Sequence, residues 1–162
     1  MQDTEKNRVY VTLLRNPIDR FVSFYHHVQA RPYHHLSKAH PELLEMAPLD
    51  FARKLVSIGN REISNLQCKM ITGRGGVPGV KAVNHARAQF TICAPLTKQD
   101  RIIAWLARAA GVEAPATQRL NTSKAQKPVE LDAVTRAYIE GLNADDMVLF
   151  RRASAPDWDS LG

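Results

Sequence analysis

One junction constrains this chain more than any other. The run Arg8-Val-Tyr-Val-Thr-Leu-Leu14, rich in β-branched and aromatic residues, passes without a break into Arg15-Asn-Pro-Ile-Asp-Arg-Phe-Val-Ser-Phe-Tyr25. The first half predicts a buried strand. Asn16 then stands at an N-cap position and Pro17 at the first helical position, so the chain turns directly from strand into helix. Ile18, Phe21, Val22, Tyr25 and Val28 recur at three- and four-residue spacing and mark the apolar face of that helix. Arg15 is left at the carboxyl end of the strand, the edge at which open α/β sheets bind ligands.

The remainder of the chain reads as a succession of helices with one more strand. Pro32 to Pro48 predicts a polar loop holding a short helix over Glu42-Leu-Leu-Glu-Met46, and Leu49–Ile58 and Glu62–Ile71 show helical spacing, ended by Gly59 and Gly73. Gly73-Arg-Gly-Gly-Val-Pro-Gly79 reads as a turn, followed by a short helix to about Gln89. Phe90-Thr-Ile-Cys93 predicts a second buried strand ended by Pro95. Thr97-Lys-Gln-Asp100 has the form of a capping box and opens a helix whose Ile102, Ile103, Leu106 and Ala110 face the core, stopped by Gly111. Ala114–Lys127 is expected as an exposed basic loop. Leu131, Val134, Tyr138 and Leu142 predict the face of a further helix, and Met147, Val148 and Phe150 a terminal one after an Asn143 cap. The expected organisation is a single domain over residues 1–153 with a flexible tail from 154 to 162.

Composition narrows the partners. The 162 residues carry 22 Lys+Arg against 16 Asp+Glu, and the stretch 31–91 holds nine of the positive and four of the negative charges. Five of the six histidines (His26, His27, His34, His35, His40) cluster at or just before the start of that stretch, which points to an anionic partner: nucleic acid, a nucleotide or an acidic sugar. A solvated basic face is the alternative. Two cysteines, Cys68 and Cys93, are too few for a disulfide scaffold, and a reducing, cytoplasmic setting is expected. No run of 18 apolar residues exists and the first residues are polar, so neither a membrane span nor a secretory signal is expected. The histidines could ligate zinc, lie at the surface, or face a substrate; no nearby pair has the i, i+4 spacing of a helical metal site.

A guanidinium at a strand end, a helix start beside it and a hydroxyl two turns along that helix (Ser23) together define an anion site, because the planar fork of arginine matches phosphate oxygens. On spacing alone, a pairing of Arg15 with Asp19 is the competing reading. The segment Val11–Tyr25 resembles the 3′-phosphate-binding motif, R-[DN]-P-x-x-R-x-x-S-x-Y, of sulfotransferases that use 3′-phosphoadenosine 5′-phosphosulfate (PAPS), above all the carbohydrate-type families related to heparan sulfate 2-O-sulfotransferase. Every position of that motif is filled, with Asn16 where Asp is frequent. Asn65–Gly73 is similar to a helical segment of the family, Ala94-Pro-Leu-Thr97 precedes a similar helix, and Arg119-Leu-Asn-Thr-Ser-Lys124 resembles its C-terminal cofactor loop.

The resemblance implies an α/β, P-loop-like sulfotransferase fold in truncated form, predominantly helical, with a small parallel sheet of two or three strands under six to eight helices. It implies that Arg15 and Ser23 contact the 3′-phosphate of PAPS, that Asn121, Thr122, Ser123 and Lys124 close over the adenosine end, and that the acceptor is a hydroxyl of a carbohydrate. The family also holds the 5′-phosphosulfate with a glycine-rich strand–loop–helix unit, and Gly73–Gly79 matches neither G-x-x-x-x-G-K-[ST] nor G-x-G-x-x-G. Three expectations remain open: the chain is a fragment or truncated product, a partner chain supplies the donor-side loop, or a nucleotide-binding remnant persists without catalysis. No residue is assigned as the catalytic base. An unpaired edge on the first strand would favour self-association or a covering partner. The reading from a different class is a non-catalytic basic helical module that binds nucleic acid or another polyanion.

Overall fold

The computed structural model describes residues 8–115 and 129–155. Strand β1 (Val11–Leu14) pairs in parallel with β2 (Ile92–Pro95), in the register Val11 opposite Ile92 and Leu14 opposite Pro95. A parallel pair needs a crossover, and here five helices supply it: α1 (Pro17–Gln29), α2 (His35–Ala39), α3 (Pro48–Ser57), α4 (Leu66–Thr72) and α5 (Gly79–Gln89). A 3-10 turn at Pro41–Leu44 separates α2 from α3. After β2 come α6 (Gln99–Ala110), α7 (Ala133–Leu142) and α8 (Ala144–Ala153). The class is therefore α/β, mostly helical, with a two-stranded parallel sheet among the described residues. No described helix is long and apolar enough to cross a membrane.

Helix α1 forms as its sequence dictates. The Asn16 side chain accepts a hydrogen bond from Ile18 N at 2.9 Å, Pro17 occupies the first turn, and Ile18, Phe21, Tyr25 and Val28 are buried. Those four pack with Leu43, with Phe51 and Leu55 of α3 and with Ile139 of α7. Phe51 stands edge-on to the Tyr25 ring, with centroids 5.1 Å apart and planes at 90°, a favoured aromatic geometry. A second cluster joins Leu14, Cys68, Ile71, Ala82, Ala86, Cys93 and Leu149, and ties α4, α5 and α8 to one side of the sheet. On its other side Ile102 of α6 meets Ile92 and Ala94.

Several element boundaries differ from the sequence expectation, each for a local reason. The first strand starts at Val11 rather than Arg8, and Arg8, Val9 and Tyr10 are exposed. The second spans Ile92–Pro95 rather than Phe90–Cys93, because Phe90 N still bonds to Ala86 O and closes α5. Pro95 is the last residue of the strand, where a missing N–H is tolerated. Between Pro32 and Pro48, α2 lies at His35–Ala39 and the segment around Glu42 forms only the 3-10 turn.

Helix α4 starts at Leu66, not Glu62. Asn65 takes a left-handed conformation (φ 43°), held there by tertiary hydrogen bonds from Asp145 N and Asp146 N to its Oδ1. Thr97–Asp100 is no capping box: Leu96–Lys98 is a 3-10 turn, α6 begins at Gln99, and no side chain caps it. Ala110 is exposed rather than core-facing. The buried residues of α7 are Thr135 and Ile139, while Val134 is 64% exposed. In α8 the buried positions are Asp146, Leu149 and Ala153, and Val148 is exposed.

Candidate functional site

The carboxyl end of β1 opens into a hollow of about 380 Å³ lined by Arg15, Arg20, Ser23, Phe24, His27, His34, His35, Glu62 and Leu66. That volume falls in the range of small-ligand sites. Four elements or their flanks build it: the β1–α1 junction gives Arg15, α1 gives Arg20, Ser23 and His27, the start of α2 gives His34 and His35, and the approach to α4 gives Glu62 and Leu66.

The Arg15 backbone is fixed while its side chain stays open. Gln67 of α4 grips the peptide from both sides: Arg15 N donates to Gln67 Oε1 at 2.8 Å, and Gln67 Nε2 donates to Arg15 O at 2.9 Å. The carboxamide thus continues the pairing that a neighbouring strand would give. Gln67 is itself held, since Asp146 Oδ2 accepts its N–H at 3.0 Å and Asp146 Oδ1 accepts from Cys68 N at 2.8 Å. The Arg15 side chain is exposed and forms no ion pair with a described residue, and the anticipated pairing with Asp19 is absent among these residues. Ser23, two turns into α1, is exposed and lines the same hollow.

The second arginine of the segment has a different task. Arg20 Nη1 donates to Glu62 O at 2.6 Å and Nη2 donates to Asn143 Oδ1 at 2.8 Å, while its Nε is buried without a described partner. Burial pulls its pKa below the ordinary value, against the nearby carboxylates of Asp146 and Glu62, which raise it. A guanidinium stays charged through such a shift. Asn143, fully buried, also accepts from Asn65 N at 3.1 Å and donates through Nδ2 to Ile63 O and Ile139 O, each at 3.0 Å. Arg20 and Asn143 are therefore a strut between α1 and the α7–α8 junction, and Tyr25 is a core residue whose hydroxyl donates to Met46 O at 2.9 Å.

The motif residues thus divide: Arg15 and Ser23 face open space, while Arg20 and Tyr25 are built into the frame. Of the other residues assigned by resemblance, Asn121, Thr122, Ser123 and Lys124 lie outside the described residues. The Gly73–Gly79 turn borders a separate hollow of about 410 Å³ with Arg74, Lys81 and His85 on its rim. Motif spacing gives no hint of Gln67. A polar residue on the buried side of a helix that otherwise faces the core with Cys68 and Ile71 is the signal that would have found it.

In charge, the hollow joins two guanidinium groups and three imidazoles to one carboxylate, Glu62. Fold and site together define an α/β domain with a basic hollow at the carboxyl end of a parallel strand, a geometry suited to an anionic ligand. No protein-family model, no curated protein and no solved structure matches the chain.

Proposed function

We propose that this chain is a PAPS-binding domain of P-loop-like sulfotransferase type, in which Arg15 and Ser23 receive the 3′-phosphate of the nucleotide. The observation that carries the reading is the state of Arg15: its peptide is clamped by Gln67, and its guanidinium, which makes no ion pair with a described residue, lies in a hollow that it shares with Ser23. Preorganising the backbone while leaving the donors vacant suits anion binding, because little order remains to be imposed when the ligand arrives. The residues present fit a phosphate. Arg15 offers a two-pronged donor, Ser23 a hydroxyl, and the guanidinium groups of Arg15 and Arg20 keep the local potential positive.

When bound, PAPS carries an activated sulfuryl group for a hydroxyl of a carbohydrate-type acceptor. Arg15 and Ser23 orient the nucleotide by its ribose phosphate, and Asn121–Lys124 belong, by resemblance, over the adenosine end. Transfer also calls for a glycine-rich donor-side loop, which no segment of the sequence matches. Nucleotide binding is accordingly the property to measure first.

Calorimetric titration with adenosine 3′,5′-bisphosphate should give saturable binding that changes modestly between low and moderate salt. A non-catalytic module for nucleic acid or another polyanion would behave otherwise. It would bind DNA or heparin with an affinity that falls steeply with salt, and would show no saturable nucleotide site.

A further inference from the structure

The hollow of about 410 Å³ at the far end of α4 is bordered by Thr72, Arg74, Gly75, Gly76, Lys81 and His85, and it shares no lining residue with the hollow beside Arg15. Leu66, at the start of α4, borders the Arg15 hollow, and Thr72, at its end, borders this one, so the length of α4, about 9 Å, lies between them.

The loop from α4 to α5 builds one wall. Gly73 and Gly76 take the left-handed conformation, with φ of 72° and 73°, and permit the tight passage between the two helices. The Thr72 hydroxyl lies 2.8 Å from Cys68 O and 2.9 Å from Arg74 O, so its single proton is engaged within the loop and Thr72 shapes the wall. The peptide N–H groups of Arg74, Gly75, Gly76 and Val77 have no acceptor among the described residues. Consecutive spare donors of this kind suit an anion.

Helix α5 supplies the opposite wall. Lys81 and His85 stand four residues apart and therefore share one face, a turn from each other. The helix end is already committed: Gly79 N donates to Asp145 Oδ1 at 2.7 Å, and Asn65 Nδ2 holds the other oxygen of that carboxylate at 3.2 Å. The charge of the hollow thus comes from side chains. None of its lining residues is acidic, Arg74 and Lys81 are exposed, and neither forms an ion pair with a described residue. Two fixed positive charges without a carboxylate beside them make the local potential positive.

We infer that this hollow is a second anion site, and that its ligand is a phosphate monoester on a small molecule. Such an ester carries about two negative charges at neutral pH and three acceptor oxygens, which match Arg74 and Lys81 together with the imidazole and the loop N–H groups. A sulfate ester carries a single charge and leaves one cation unmatched. The volume falls in the range of small-ligand sites and leaves room for the group that bears the phosphate. The inference does not depend on what occupies the Arg15 hollow.

The test titrates the whole chain calorimetrically with glucose 6-phosphate, glucose 6-sulfate and inorganic phosphate. Glucose 6-phosphate should bind at least about tenfold more tightly than the sulfate ester, and more tightly than inorganic phosphate. Arg74→Gln combined with Lys81→Gln should weaken it about tenfold or more, with an unchanged melting curve, while Arg15→Ala leaves it unaltered. In 1H–15N spectra of the Arg15→Ala protein, the amide signals of Gly75, Gly76 and Val77 should move on saturation and that of Ser23 should not.

No saturable binding, an unaffected double variant, equal affinity for the phosphate and sulfate esters, or signals that move at Ser23 in place of the loop would overturn the site. Inorganic phosphate held as tightly as the ester would overturn the monoester as its ligand. Adenosine 3′,5′-bisphosphate binding that is lost in the double variant and kept in Arg15→Ala would sink the nucleotide reading and leave this site standing.

Discussion

Replacing Asn143 with alanine should destabilise the domain far more than one polar side chain usually does. The carboxamide is completely buried and makes four hydrogen bonds: it accepts from Arg20 Nη2 and Asn65 N and donates to Ile63 O and Ile139 O. No cap is lost with it, because its side chain does not cap α8. Ile139 O keeps a second donor in the backbone N–H of residue 143 at 3.1 Å, but three groups are stranded: a guanidinium N–H, a peptide N–H and a carbonyl. Two neutral bonds at about 1 kcal/mol each and one charged bond at about 1.5–3 kcal/mol sum to a loss of about 3–5 kcal/mol. A domain of this kind has about 5–15 kcal/mol in all. Arg20 already buries an Nε with no partner among the described residues, which leaves it poorly placed to absorb the loss. Urea unfolding followed by circular dichroism measures the change. A double-mutant cycle with Arg20→Met isolates the pair, with a coupling of about 1.5–3 kcal/mol expected. A cost for Asn143→Ala below about 1 kcal/mol, or zero coupling, would refute the strut.

Further consequences concern two glycines, the thiols and a helix cap. At Gly79 an added Cβ would lie 2.6 Å from Asp145 O and 2.8 Å from the Val148 Cβ, so Gly79→Ala should destabilise by about 1–3 kcal/mol. Gly141 in α7 meets nothing within 4 Å, and Gly141→Ala should stabilise by about 0.5–1 kcal/mol; urea melts that gave both the same sign would contradict the close α5–α8 approach. Burial pushes the Cys93 thiol up to about 12 and raises Cys68 as well, with the Asp146 carboxylate adding to the latter. Neither should react with a thiol-specific disulfide reagent at about pH 8 until urea is added, and rapid labelling of the native protein would show the second core cluster to be open. Asp132 caps α7 through Thr135 N at 2.6 Å, and that bond, followed by the Thr135 side chain, holds its carboxyl below the ordinary 3.8. A folded-state pKa below the unfolded one contributes stability that is present above 3.8 and lost as pH falls through the folded value. The melting temperature of Asp132→Ala should therefore lie below that of the parent at neutral pH, and the gap should close in acid; a gap independent of pH would deny the cap its charge.

Local patterns made some of this architecture legible and tertiary forces concealed the rest. The β1–α1 junction could be read because everything that builds it is adjacent in sequence: the β-branched run, Asn16, Pro17 and the apolar face from Ile18 to Val28. The parallel pairing of the two strands follows the expected class, although the second strand slid two residues once α5 had claimed Phe90. Asn65 shows the limit of periodicity. Helical spacing runs straight through it, yet bonds from residues eighty positions away turn it left-handed and delay α4. Thr135 and Ile139 displaced Val134 from the core because the orientation of α7 is set by its packing against α1 and α3, which no window of α7 contains. Within the candidate site, Arg15 and Ser23 could be named from spacing. The grip of Gln67 on Arg15 exists only once two segments 52 positions apart in sequence meet.

A ligand pair isolates the contact proposed between the Arg15 guanidinium and a ribose 3′-phosphate. Affinities of the parent and of Arg15→Ala are measured for adenosine 3′,5′-bisphosphate and for adenosine 5′-monophosphate, which differ only in that phosphate. The parent should prefer the bisphosphate by about tenfold or more, as a charge-assisted bond of about 1.5–3 kcal/mol implies, and the preference should collapse in the variant while the monophosphate is held as before. A preference that survives the loss of Arg15, or a parent that does not distinguish the two nucleotides, would contradict the account.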